Sequence, residues 1–160
     1  MSKFHLNVRE AEYPDVAILK LFNQSMALET EGKRLDGQVL EKGIKGFLDN
    51  DRHGFYLIAE DLNQKAVASL AITYEWSDWR NGLFWWIQSV YVNEAFRRKG
   101  VFSKLYEAVK MRAKKEPNVC GVRLYVEQSN KSAQATYFSL GMKKSHYQMW
   151  EETFPIKERE

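Results

Sequence analysis

The sequence predicts a mixed α/β domain: a partly antiparallel central sheet flanked by helices. Three observations carry that reading. Short apolar runs at 55–59, 66–74 and 83–92 have the length of strands and lie between polar turns. Amphipathic stretches of helical period interrupt them, in the order β-α-α-β-β-β-α-β-α-β. The chain has 160 residues, 44% hydrophobic and 28% charged, enough for one core and short for two. One domain spanning 1–160 is the simplest organisation, because no repeat, low-complexity tract or Pro/Gly-rich linker divides it.

Each element has a local cause. Lys3 to Arg9 alternates loosely and predicts a first strand. Pro14-Asp15 opens a helix on which Val16, Leu19, Phe22 and Met26 share a face. Leu40, Ile44, Phe47 and Leu48 mark a second helix, ending near Asp49-Asn50. Phe55–Ala59 and Ala66–Tyr74, joined by Asp61-Leu62-Asn63-Gln64, read as a hairpin. Glu75 to Gly82 reads as a polar, aromatic loop. Leu83 to Val92 is apolar on both faces and therefore central. A helix follows from Gly100, with Val101, Leu105 and Val109 on one side, and Pro117 stops it. Val122, Leu124 and Val126 alternate in a strand over 121–126. Lys131 to Leu140 is a short helix, and Gly141 supplies a left-handed cap. Met142 to Trp150 is expected to be a last strand.

Composition excludes several classes. A net charge of +3, from 24 basic and 21 acidic residues, is too balanced to argue for nucleic acid on its own. One cysteine, Cys120, excludes an internal disulfide and a cysteine-based zinc site, and it fits a reducing compartment. Cys120 itself reads as a small buried residue. His5, His53 and His146 show no metal spacing, so no metal is expected. The longest uncharged run, Asn81 to Asn93, has 13 residues and cannot span a bilayer. No signal peptide is visible over Met1 to Glu12. A cytoplasmic protein is expected, with no membrane or nucleic-acid partner. Lys110 to Lys115 and the tail Lys157 to Glu160 read as solvated surface.

The chemistry sits where the central strand runs into a basic turn and then a helix. The segment reads Gln88-Ser89-Val90-Tyr91-Val92, then Phe96-Arg97-Arg98-Lys99-Gly100-Val101-Phe102-Ser103. The first N–H groups of a helix lack partners and attract anions, aided by the helix dipole. Gly100 allows close approach, and Arg97, Arg98 and Lys99 add positive charge, which together suit a pyrophosphate. Alone, the segment reads equally well as a solvated basic turn. The full G-x-G-x-x-G of dinucleotide folds and the G-K-[ST] of P-loops are both missing.

Arg97-x-x-Gly100-x-Phe102 resembles the [RQ]-x-x-G-x-[GA] signature of the GNAT acetyltransferase superfamily. Asn130-Lys131-Ser132-Ala133-x-x-x-Tyr137, followed by Gly141, is a second match, and Val8-Arg9-Glu10-Ala11 with Asp15 is a third. The likeness spans nearly the whole chain in the right order. Within the superfamily the layout of Glu29-Thr30-Glu31, of Thr73 to Gly82 and of Leu83 to Val92 is similar to the diamine (spermidine/spermine) and thialysine N-acetyltransferases. Two residues depart from the pattern. Phe102 replaces a small residue; its side chain can turn inward while its N–H still meets a phosphate. Gln88 stands where the diamine enzymes carry glutamate, and an amide cannot act as a base.

The resemblance implies direct acetyl transfer from acetyl-CoA to a primary amine, a small cationic one such as a polyamine or a lysine-like amine. It places the cofactor on Val90 to Val92, on Arg97 to Ser103 and on Asn130 and Ser132. Backbone N–H groups of a bulged central strand at Val90–Val92 would polarise the thioester carbonyl. Tyr137 would protonate the leaving thiolate; a phenol of pKa near ~10 stays protonated until needed. The amine, with pKa near ~10.4, must first lose a proton, and Glu75, Asp78, Glu29 and Glu127 are the candidate carboxylates. Glu29, Glu31, Glu75, Asp78, Gln88 and Glu127 are the candidate acceptor-site residues. Four of the five tryptophans lie between Trp76 and Trp86, where indole faces could hold a cation or pack an edge or a homodimer partner. Trp85 and Trp86 point to opposite faces, so at least one belongs to the core. Two other readings are a protein or peptide N-acetyltransferase and a non-catalytic CoA-binding module.

Overall fold

A computed structural model describes residues 5–156. It resolves into two compact units, Met1–Tyr125 and Val126–Glu160. The predicted solvated tail, Lys157 to Glu160, lies outside the described residues, as do Lys3 and Phe4 of the predicted first strand.

The larger unit holds a five-stranded sheet in the order β1 (Asn7–Glu10), β2 (Gly54–Glu60), β3 (Ala66–Ser77), β4 (Gly82–Val92), β5 (Val119–Arg123). The first three pairings are antiparallel and β4–β5 is parallel, as the mixed class requires. Between β1 and β2 run α1 (Val16–Glu31) and α2 (Gly37–Leu48), and α3 (Val101–Lys115) joins β4 to β5. Asp36 starts α2 because its carboxylate accepts from the Gln38 and Val39 N–H groups.

Strand alternation divides the core. Tyr56, Ile58 and Ala71 point to one face and pack with Val16, Leu19 and Ile44 of α1 and α2. The neighbours Leu57, Ala59, Leu70 and Ile72 point to the other face and are fully buried, as are Leu105 and Val109 of α3. Arg112 of α3 lies 5.4 Å over Phe55, which marks that second face. Trp85 is buried and Trp86 half-buried on the opposite side of β4, so one indole is core. Arg9 ties β1 to the first turn of the helical layer through Asp15, 2.7 Å away, and to Glu60 at 2.6 Å.

Four expectations need correction. The tract 75–82 is not a loop: β3 runs to Ser77, and only residues 78–81 turn, with Asn81 at φ 47°. Cross-strand pairing of Trp76 with Leu83 keeps those residues in the ladder. The strand predicted over 121–126 begins at Val119 and ends at Arg123, where its pairing with β4 stops. Cys120 is exposed, not buried, because this strand lies at the sheet edge. The small unit holds α4 (Lys131–Ser139), with Gly141 at φ 95° after it as expected, but Met142–Trp150 forms no strand. A tract becomes a strand only with a ladder partner, and the described residues of that unit hold no other strand.

Candidate active site

The site grows from an irregularity in β4. Ser69 of β3 pairs with Tyr91, while Ala71 pairs with Gln88, so one extra residue is accommodated opposite Leu70. Ser89 takes it up in a left-handed conformation, φ 52°, uncommon for a residue with a side chain. On the other side, β5 pairs with β4 only as far as Trp86. Within the larger unit, Ile87 to Val92 therefore keep a sheet partner on one edge only. That edge presents backbone donors and acceptors to an amide-bearing chain. The bulge and open edge fall on Val90, Tyr91 and Val92.

Just beyond, Asn93 caps a short 3-10 turn, Glu94–Phe96, by accepting from the Ala95 N–H. Arg98 (φ 62°) and Gly100 (φ 75°) are both left-handed and swing the chain into α3. Gly100 is the N-cap, and no side chain caps the helix. Helix geometry directs the first-turn N–H groups of Val101, Phe102 and Ser103 back toward Gly100. A Cβ built on Gly100 would meet nothing within 4 Å. Phe102 is half-buried and stacks on Tyr106 at 6.1 Å, leaving its backbone in the turn. Lys99 lies 5.4 Å over the Phe96 ring. Arg97 is braced: its Nε donates to the Val92 carbonyl at 2.9 Å, and Nη2 donates to Glu29 at 2.6 Å. The Glu29 partner raises its pKa further, so it is cationic throughout.

On the face of β4 that carries Trp86, Gln88 is fixed at both ends. Its Nε2 donates to Thr73 Oγ1 at 2.7 Å, and its Oε1 accepts from the Tyr125 hydroxyl at 3.3 Å. Tyr125 also packs 6.0 Å from Trp86. Arg123 closes this face, with its guanidinium 3.5 Å over Phe84 and Nη1 2.5 Å from Glu75. Thr73, Arg123 and Tyr125 were not singled out in the sequence. Nothing local distinguishes them; the register that sets them beside Gln88 does.

The acids predicted to read a cation are already engaged. Glu29 meets Arg97, Glu31 meets Lys33 at 3.0 Å, and Glu75 meets Arg123. Asp78 accepts from the Trp79 N–H in its own turn. Glu127, in the small unit, accepts from both the N–H and the hydroxyl of Ser129, and these hold its pKa below the usual range. Trp76 and Trp79 at the hairpin tip are exposed, and Arg80 lies 5.1 Å over Phe84.

In the small unit, Asn130 caps α4 by accepting from the Ala133 N–H, which leaves its amide nitrogen as a donor. Ser132 is exposed in the first turn. Tyr137 is half-buried, and burial pushes its phenol above the ordinary value.

Comparison with known proteins decides the family. Residues 17–142 match the model of the acetyltransferase (GNAT) family. The chain belongs to that family. It is an N-acetyltransferase, and the enzymes of this family use acetyl-CoA. The acetyltransferase is similar to a solved structure of a possible acetyltransferase from Clostridium difficile 630, at 47% identity and TM-score 0.86, over 93% of this chain and 97% of that one. It shares its fold with a predicted acetyltransferase with acetyl-CoA from Clostridium acetobutylicum, at 19% identity and TM-score 0.75, over 92% and 96% of the two chains. The same holds for glucosamine-6-phosphate N-acetyltransferase from Arabidopsis thaliana, at 20% identity and TM-score 0.70, over 92% and 98%. No curated protein matches. Among the described residues, no helix of this acetyltransferase is long and apolar enough to cross a membrane.

Proposed function

We propose that the enzyme acetylates a small, cationic primary amine directly, in the manner of the diamine and thialysine N-acetyltransferases, as one acetyltransferase domain over 1–160. The observation that carries the reading is the Ser89 bulge. It opens the β4 edge immediately before a basic turn and an uncapped helix N-terminus. The residues fit acetyl-CoA: amide groups for the open edge, a pyrophosphate for the turn.

When bound, acetyl-CoA supplies an activated acetyl group on a thioester. The N–H groups of Val90 to Val92 would hold the thioester carbonyl oxygen, where negative charge develops, and would lower the barrier by electrostatic stabilisation. Arg98, Lys99 and Gly100, with the N–H groups of Val101, Phe102 and Ser103, would hold the pyrophosphate, and Arg97 braces the turn. The Asn130 amide nitrogen and Ser132 would meet the cofactor arm, as the family resemblance implies. Tyr137 would give its proton to the departing thiolate, as the family resemblance implies; its raised pKa keeps it protonated at neutral pH. Gln88 orients the amine through its carbonyl oxygen and cannot accept a proton. The proton leaves through water to one of Glu75, Asp78, Glu29 and Glu127. Ser129 stabilises the charged form of Glu127 and holds its pKa below the ordinary glutamate value, which weakens it as a base. Glu75 shares the Gln88 face of the sheet.

A homodimer in the cytoplasm completes the proposal. The exposed Trp76 and Trp79 support the first, and a single cysteine supports the second. The test is calorimetric titration with acetyl-CoA and with CoA lacking the 3′-phosphate. Micromolar binding weakened by Arg98→Ala is expected. No binding of either compound overturns the proposal.

A further inference from the structure

We infer that Glu29 is a positioning residue for the cofactor and neither an acceptor ligand nor a base: through Arg97 it clamps the open edge of β4 where that strand enters the basic turn. The inference rests on the acetyltransferase reading above and removes Glu29 from its candidate bases.

The direction of the Val92 carbonyl is the first argument. The Asn93 N–H donates to the Val67 carbonyl at 2.8 Å. In an antiparallel pair, neighbouring residues turn their polar groups to opposite sides. The Val92 carbonyl therefore points away from β3, toward the edge that β5 leaves open beyond Trp86. Arg97 Nε donates to that carbonyl at 2.9 Å. A side chain thus takes the place of a strand at the last residue of β4, and the edge offered to an amide-bearing ligand ends there.

The build of the clamp is the second. Arg97 Nη2 donates to Glu29 Oε2 at 2.6 Å, and the guanidinium lies 5.6 Å over the Tyr91 ring. The other Glu29 oxygen lies 3.5 Å from the Tyr91 hydroxyl. Both carboxylate oxygens are turned to the end of β4. An ammonium reaching Glu29 would have to displace a guanidinium held by Val92, Tyr91 and Glu29 together.

Helix geometry supplies the third. Phe22 and Glu29 are about two helical turns apart on α1 and share a side of it. Phe22 is buried and packs 5.0 Å from the Tyr91 ring. Helix α1 therefore meets the end of β4 twice, through a buried ring and through the Glu29–Arg97 pair. Glu29 stands on the last turn, just before the left-handed Gly32 ends the helix. The paired side chains are 41% and 42% exposed, and an ion pair so open contributes little to folding. Its loss should disturb the turn that receives the cofactor and spare the fold.

The experiment is a double-mutant cycle of Glu29→Gln and Arg97→Met. It is read by titration calorimetry with acetyl-CoA, by thiol release with spermidine as acceptor, and by melting temperature. Glu29→Gln is expected to weaken acetyl-CoA roughly 5- to 50-fold, the size of a typical coupling between sites. KM for acetyl-CoA should rise with it, while KM for spermidine and the melting temperature stay unchanged. The double variant should bind acetyl-CoA no more weakly than Arg97→Met alone, since Glu29 acts through Arg97. Unchanged acetyl-CoA affinity in Glu29→Gln overturns the inference, whether kcat falls, as for a base, KM for spermidine rises, as for an acceptor ligand, or the protein merely melts lower, as for a staple. Tighter acetyl-CoA binding overturns it as well, because Arg97 would then serve the phosphates better when released. So do additive losses in the double variant. If the wild type binds acetyl-CoA but leaves spermidine unreacted, the affinity cycle alone decides among these outcomes. Absence of acetyl-CoA binding by the wild type overturns the acetyltransferase reading instead.

Discussion

Gly100→Ala separates the stability of the basic turn from its function. Gly100 has φ 75°, a region that costs a residue with a Cβ roughly 1–2 kcal/mol. The new Cβ meets nothing within 4 Å, so no clash adds to that cost. For a chain of this length the melting temperature should fall by about 2–8 °C. Gly46→Ala in α2 is the matched control. Its Cβ also meets nothing within 4 Å, but its φ is helical, so the substitution should stabilise by roughly 0.5–1 kcal/mol. The open space over Gly100 is where the pyrophosphate is proposed to lie, and a methyl group there should weaken acetyl-CoA at least ~10-fold. Differential scanning calorimetry reads the first effect and titration calorimetry the second. A Gly100→Ala protein that melts lower yet binds acetyl-CoA as tightly as the wild type would refute the placement of the phosphates. A protein that melts at the wild-type temperature would refute the strain argument.

Three further predictions follow from other parts of the chain. Tyr137→Phe should keep acetyl-CoA affinity and lose turnover by roughly 10²–10⁴-fold, measured by thiol release; normal turnover removes Tyr137 from the mechanism. Arg9→Met leaves Asp15 and the buried Glu60 without their shared partner and should cost about 3 kcal/mol by urea unfolding, whereas a loss under 1 kcal/mol would mean that solvent compensates both acids. The Arg9 guanidinium depresses the folded-state pKa of Asp15 below its ordinary 3.8. That stabilisation is fully present above the unfolded value and disappears as pH falls through the folded one. Asp15→Asn should therefore flatten the loss of stability below about pH 4, and an unchanged acid limb would contradict the assignment.

Local chemistry made much of this enzyme legible. Pro14, Gly100, Pro117 and Gly141 punctuate the chain where the structure turns, because missing donors and left-handed conformations are properties of single residues. The Arg97-to-Gly100 turn and the Asn130-to-Tyr137 spacing identified the family for the same reason. Periodicity placed α1, α2, α3 and the β2–β3 hairpin, since burial of one face imposes it.

The tertiary structure decided what depends on partners far away in sequence. The Met142–Trp150 tract is expected to be a strand but forms none, because a ladder needs a second strand. Cys120 looked like core but lies on an edge. Ser89 bulges although nothing in its neighbourhood requires φ 52°; the offset between Ser69–Tyr91 and Ala71–Gln88 does. The acids around the site illustrate the divide best. Their charge is written in the sequence, but Glu29 and Arg97 are 68 residues apart, and Glu75 and Arg123 are 48 apart. Whether a carboxylate is open to a cation or already paired depends on which strand face and helix end it shares, and only the folded register brings those together.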